Sequence, residues 1–471
     1  MEVKKINNLM WEIQKTGEMR VPVRIFASEN LLHMMQQDIT LQQAKNMATL
    51  PGIQKHVVVL PDAHQGYGAC IGGVAAYDLE KGVISPGEIG YDINCSVRLL
   101  KTNLTKKDLE NKKKESIEAL FRAVPSGVGK GTKIKIDARD MKEILQKGAR
   151  WAVEKGYGKK DDLEKTENLG EMKEADANEI SERSIERGVH QLGSLGSGNH
   201  FLELQYVHQL FDKKAAKVFR LKEDQIMVMI HCGSRGLGHQ VASDFIKLME
   251  DAYGFSSLPD RELINAPFTS PLGQRYWRAM NAAANFAFCN KQIITHWIRE
   301  SMKKIFPDFQ ADVVYDICHN IAKVEEHIID GEKKKVCVHR KGATRSFGPG
   351  NKELPEEYQD IGQPINIPGS MGTASWLLVG TKEAEELSFS STAHGAGRMM
   401  SRSAALREWK GEDIRDALLK KGIVVRAGSV KGIAEEAPGA YKDVDEVVRV
   451  STEAGIGRAV ARLVPMAVMK G

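Results

Sequence analysis

The sequence predicts an α+β fold, and three observations lead there. Short apolar runs separated by Gly/Pro turns fill residues 54–100, residues 104–125 and 140–156 read as helices, and from 188 an apolar strand, a Gly/Ser loop and a helix or strand recur in turn. In the first region KHVVVL, GGVAAYD and CSVRLLK read as strands, with PDAHQGYGACIGG as a glycine-rich loop. In the second, Met141, Ile144, Leu145 and Ala152 fall on one helix face. Residues 158–187 are dense in both charge signs and read as a solvated helical excursion, so that about 104–187 form a charged insertion. The later grammar shows in QLGSLGSGNHFLELQ, IMVMIHCGSRGLGHQVASDFI, INIPGSMGTASWLLVG and SFSSTAHGAGRMMSR. No Pro/Ser linker and no fixed-period repeat divides the chain, which favours one large domain over the roughly three that length alone suggests.

Composition narrows the class. No apolar run approaches the roughly 18 residues that span a bilayer. The opening MEVKKINNLMWEIQKTGEMRVP lacks the apolar block of a signal peptide, so the expectation is a cytoplasmic protein (or nuclear, in a eukaryote) with no membrane anchor. Six cysteines lie far apart with no C-x-x-C pair, which excludes a secreted disulfide framework and a zinc ribbon. A net charge of +5 tolerates a nucleic-acid partner without requiring one.

GYDINCSVR places the Asp92 carboxylate three residues before the Cys95 thiol. A soft and a hard ligand so close serve either packing or metal chemistry. Of thirteen histidines, His200 follows GSGN, His231 follows MVMI and His319 follows YDIC. The first two lie where a strand meets a glycine loop, and His319 is expected to open a helix over HNIAKVEEHI. With Asp92 and Cys95 they form a mixed N/O/S set of the kind that borderline divalent ions accept.

The glycine loops suggest phosphate. HCGSRGLGHQVASDFI is a strand, a turn and a helix whose first N–H groups suit an anion, and Arg235 adds a planar fork beside them. VHRKGATRSFGPG brings Lys341 and Arg345 on a similar backbone. VPSGVGKGT (124–132) imitates a P-loop but fails twice: Gly131 replaces the Ser/Thr, and Val124 replaces the first glycine. In STAHGAGR, His394 stands between Ala393 and Gly395 with Arg398 four residues on, so its unshielded ring can attack a phosphoryl group.

Assembled, these segments resemble the RtcB-type tRNA-splicing ligase family over the full 1–471. PDAHQGYG, SPGEIGYDINCSVR, GSLGSGNHFLE, HCGSRGLGHQ, DICHNIAK, HRKGATRSFGPG, IPGSMGTAS, STAHGAGRMMSR, EEAPGAYKDVDEVV and the terminal MKG carry the likeness in one order. Two local departures, Glu88 and the stretch 158–187, are expected to touch surface contacts alone. The resemblance implies a single domain with a mixed-sheet core and glycine-rich active-site loops. It also implies GTP- and Mn²⁺-dependent joining of RNA 3′-phosphate or 2′,3′-cyclic phosphate ends to 5′-hydroxyl ends, in tRNA splicing and RNA repair.

By motif, Cys95 would bridge two manganese ions, one completed by Asp92 and His200 and the other by His231 and His319. His394 would carry the guanylate. The guanylate site would draw on Asn199, His200, Phe201, Leu202, Glu203, His319, Asn320, Pro368, Gly369, Ser370, Met371, Ser375, His394, Gly395, Ala396, Gly397 and Lys470. Arg235, Lys341, Arg345 and Arg398 are the candidates for substrate phosphate. Partners implied are RNA (tRNA exon halves and broken ends) and archease as an activating partner, and the chain is expected to be a monomer. LVPMAVMKG is too apolar for a solvated tail, so the C-terminus is expected to dock inside and deliver Lys470. A phosphoesterase using the same ligands is the competing class; a non-catalytic RNA scaffold is disfavoured by the lack of clustered base-stacking aromatics.

Overall fold

The computed structural model describes residues 2–127 and 131–471. The glycine-lysine pair of the P-loop imitation, within 128–130, lies outside the described residues. Two large sheets organise the chain. The first runs Lys4–Lys5, Met10–Ile13, Val23–Phe26, Val57–His64, Ile71–Asp78, Glu332–Lys341, Asn320–Ile329. The second runs Ala311–Cys318, Ser96–Thr105, Gln225–Cys232, Phe201–Leu210, Arg458–Lys470, Ser375–Val379, Pro364–Ile367, and Val424–Ala427 joins its Arg458–Lys470 strand. Both are mixed: Val23–Phe26 pairs parallel with Val57–His64, and Val424–Ala427 pairs parallel with Arg458–Lys470.

Strand side chains alternate between faces, and the burial follows that alternation. Val57, Val59, Ala75 and Tyr77 of the first sheet share one buried cluster with Val97, Leu99, Met227 and Met229 of the second, so the sheets pack face to face. The intervening residues point the other way. Leu100, Val228 and Ile230 pack with Ile294, Ile298 and Met302 of the 33-residue helix Pro271–Lys303. Val58, Val74 and Val338 pack with Ala384 and Phe389. This order of helix, sheet, sheet and helix is the α+β class that the sequence predicts. Among the described residues, no helix is long and apolar enough to cross a membrane.

Several local expectations need correction. The 104–125 segment opens as the end of strand Ser96–Thr105 before the helices Lys106–Glu110 and Lys113–Ala123. The 140–156 segment breaks into Ala138–Lys147 and Ala149–Glu154 at Gly148, whose φ of +57° and close approach to the Gly170 carbonyl exclude a side chain. Met141, Ile144, Leu145 and Ala152 are all buried, as their spacing predicts.

His319 does not open a helix; it links two strands, and Asn320–Ile329 is extended. That segment misleads because its pattern is inverted. Glu325 and His327 point inward, Glu325 bonded by Arg340 and His327 paired with Glu325, while Val324 and Ile328 face out. The 158–187 stretch is not simply solvated either. Asp162 takes two bonds from Arg299 (2.6 and 2.7 Å), and Glu167 is buried against Lys323 and Arg345. Burial pushes Glu167 up, but Lys323 and Arg345 outweigh it and hold its carboxyl down at about 2. Glu88 is likewise internal, 1% exposed and bonded by the Tyr77 hydroxyl at 2.8 Å.

Candidate active site

Strand register explains why distant residues meet. Ile317, Val97, His231, Phe201 and Lys470 form one row across five neighbouring strands of the second sheet. Cys95, His200 and His319 each sit one or two residues from that row, at the same end of the sheet. The Asp92–Cys95 turn closes through the Cys95 N–H to the Asp92 carbonyl (2.9 Å), and the His319 N–H then bonds the Cys95 carbonyl (2.9 Å).

The side chains converge accordingly. Cys95 Sγ lies 3.5 Å from His200 Nε2 and 3.2 Å from His231 Nε2. His231 and His319 face each other through Nε2 at 3.3 Å, and Asp92 Oδ2 is 2.8 Å from His200 Nε2. Two trios result, Asp92–Cys95–His200 and Cys95–His231–His319, with the donor atoms of each within 4.8 Å of one another and the sulfur common to both. A thiol, imidazoles and a carboxylate are the donors that Mn, Fe, Co or Zn accept. His200 Nδ1 sits 3.1 Å from the Leu195 carbonyl, which holds a proton on Nδ1; burial lowers the ring's pKa, but Cys232, Asp92 and Cys95 outweigh it and hold it well above the usual imidazole range, so Nε2 carries a proton beside Asp92 that a bound cation would replace.

Burial, reinforced by neighbouring charges, pushes His231 and His319 well below the usual imidazole range, so both are neutral donors. Burial would raise Asp92, but His200 more than offsets it and the carboxylate stays ionised. Burial, with Asp92 adding to it, pushes the Cys95 thiol up to about 12, a proton that only a bound cation would displace at neutral pH.

His394 follows the short strand Ser391–Ala393, and its ring centroid lies 4.8 Å from that of His319. Its Nδ1 makes a close 2.6 Å contact with Asp62 Oδ2, angled off the hydrogen-bond line, while the His394 and Gly395 N–H groups donate to the same oxygen. Burial raises Asp62, but His394 and then Lys442 overcome it, so the carboxylate is charged. Nε2 is therefore the ring nitrogen left available.

These groups border a cavity of about 830 Å³. Asn199, Phe201, Glu203, His231, His319, Asn320, Lys341, Pro368–Met371, His394–Arg398 and Lys470 line it. Asp92, Cys95 and His200 lie one contact further in. Leu202 packs instead in the apolar cluster with Leu195 and Leu204, and Ser375 Oγ braces the loop by accepting from the Gly369 N–H and from Gln205. Lys470 donates to the Gly198 carbonyl (2.9 Å) and faces Glu436 at 3.7 Å; its strand docks inside, as the apolar tail predicts.

The four phosphate candidates divide. Arg398 reaches the cavity, tied to Glu436 and Tyr441. Lys341 lines the wall but spends its donors on the carbonyls of Tyr67, Ala69 and Gly87. Arg235 starts the helix Arg235–Tyr253, outside the cavity lining. Arg345 is elsewhere, locked to Glu167, Glu325 and Glu353. Sequence reasoning passes over Asp62, Arg402 and Glu436. Asp62 carries one signal, an acid at the end of the apolar run VVVL; it belongs to the strand Val57–His64 rather than to a loop.

A shared thiol between two trios of donors, beside an open imidazole and a buried lysine, is an arrangement suited to metal-assisted phosphoryl transfer. The chain belongs to the RtcB family: the family model described as "tRNA-splicing ligase RtcB" matches residues 43–471. It is 53% identical to a tRNA-splicing ligase RtcB of Thermococcus kodakarensis, covering 100% of this chain and 99% of the relative. It is 52% identical to those of Methanococcus maripaludis (96% and 95% covered) and Archaeoglobus fulgidus (100% and 99%).

Proposed function

We propose that this chain is a GTP- and Mn²⁺-dependent RNA ligase joining 3′-phosphate or 2′,3′-cyclic phosphate ends to 5′-hydroxyl ends. The observation that carries the proposal is the Cys95 sulfur shared by two ligand trios within one ring contact of His394. Cys95 with Asp92 and His200, and Cys95 with His231 and His319, would hold two ions, which would supply neutralisation of phosphate oxygen charge.

The chain's own residues account for the rest. His394 Nε2 attacks the α-phosphorus of GTP; the N–P bond forms as the bond to the β-phosphate oxygen breaks, and pyrophosphate leaves. Asp62, 2.6 Å from Nδ1, would orient the ring and offset the charge that it gains. An RNA 3′-phosphate oxygen then displaces His394 from the guanylate, giving an RNA-ppG end; a cyclic phosphate must first be opened by water. The 5′-hydroxyl next attacks the RNA phosphorus, its proton is lost, and GMP leaves as the phosphodiester closes. The test is joining of such RNA strands with GTP and Mn²⁺. Hydrolysed ends without joined product would instead mark a phosphoesterase.

Asp62→Asn should keep the fold but present the wrong proton to Nδ1. Labelling of His394 by radiolabelled GTP should fall by at least about 100-fold; wild-type labelling would remove Asp62 from the mechanism. Glu203, which lines the cavity, would accept the paired N–H donors of guanine, which adenine lacks. Burial raises its carboxyl to about 7, with Gln205 and Lys470 opposing. The accepting form is the ionised one, so GTP affinity should rise roughly tenfold from pH 6 to pH 8. Glu203→Ala should abolish that rise and narrow the GTP/ATP preference by at least about tenfold; a pH profile and selectivity like those of the wild type would discard the assignment.

A further inference from the structure

Tyr67 is the most exposed large apolar residue described, with 72% of its surface open. It stands edge-on over Tyr91 (6.5 Å, 88°), and Tyr91 lies nearly parallel to His239 (6.1 Å, 27°). A bare tyrosine at a loop tip is ordinarily loose, yet this loop is fastened from below. The Lys341 ammonium donates to the carbonyls of Tyr67 (2.5 Å), Ala69 (3.1 Å) and Gly87 (2.8 Å), binding the loop to the turn Pro86–Glu88. Gly68, at φ +69°, lets the backbone press against Glu262, whose carboxylate also accepts from the Tyr91 hydroxyl at 2.9 Å. The Tyr67 backbone and the Tyr91 ring are thus fastened at a cavity that contains His394, and both tyrosines line it. Arg398 and Arg402 line the same cavity, supplying positive charge for a phosphate backbone.

We propose that the open face of Tyr67, with Tyr91 bracing it edge-on, is a stacking platform for the terminal base of an RNA strand entering the His394 cavity. The inference rests on the RNA-joining function proposed above. Every base presents a π-face, so stacking holds ends of any sequence, as joining varied RNA ends requires. The platform also accounts for the Lys341 clamp, which fixes the loop in place of gripping phosphate.

The test uses 2-aminopurine, whose fluorescence stacking quenches, at the terminal nucleotide of a 3′-phosphate strand or of a 5′-hydroxyl strand, bound without GTP. Wild type should quench one of the two probes. Tyr67→Ala should lose the quench and bind that strand about tenfold more weakly by anisotropy. Tyr67→Phe should keep both, and thermal unfolding of each variant checks the fold. A quench that persists in Tyr67→Ala, or neither probe quenched by wild type, overturns the platform. Radiolabelled GTP on wild type judges the ligase separately: quench without label refutes the ligase and leaves the platform, and label without quench does the reverse.

Discussion

His394→Ala should keep its bound metal and lose every trace of covalent guanylate. The ring belongs to neither ligand trio, so equilibrium dialysis with Mn²⁺ should return the wild-type stoichiometry. The nucleophile itself is gone, and Asp62 beneath it has nothing to orient. Joining of RNA should fall by on the order of 10⁴-fold or more, as when a group acting in a covalent unit is removed. Folding should be little affected, because the ring borders a cavity and is 14% exposed. Residual labelling elsewhere on the protein would mean that another residue is the acceptor.

Cys95→Ala should release both ions, and the comparison with His200→Ala makes that result specific. The sulfur is the only atom common to the two trios. Removing it leaves Asp92 with His200 on one side and His231 with His319 on the other, two side chains each, where a borderline divalent ion wants at least three protein ligands in a fixed site. His200→Ala thins one trio only and should cost one ion. Metal content per chain, read beside GTP labelling, should therefore fall from two to none for Cys95→Ala and from two to about one for His200→Ala. The fold should survive, since trimming a buried CH₂SH to a methyl costs on the order of 1 kcal/mol. Two ions retained by Cys95→Ala would refute the shared sulfur.

Much of this site is legible in the sequence because its residues obey local rules. His200 and His231 stand at strand–glycine junctions, and Asp92 and Cys95 share one turn, so their convergence needs only that the strands be neighbours. What escapes has nonlocal causes. Asp62 reads as part of a glycine-rich loop; its role comes from His394, 332 residues away, donating a backbone N–H to it. Arg345 reads as a phosphate ligand until the charged stretch around Glu167 folds inward and claims it. The strand Asn320–Ile329 hides behind buried charges, and the helix Pro271–Lys303 leaves no clean apolar stripe because Asn281, Asn285, Asn290, Lys291 and Gln292 are buried along with its alanines. Periodicity reports burial only where polar residues stay outside.

Anomalous scattering from crystals soaked in Mn²⁺ would show whether one sulfur serves two ions. Two peaks should flank Cys95 Sγ, one toward Asp92 and His200 and one toward His231 and His319. A single peak remote from that sulfur, or density that leaves Cys95 uncoordinated, would contradict that sharing.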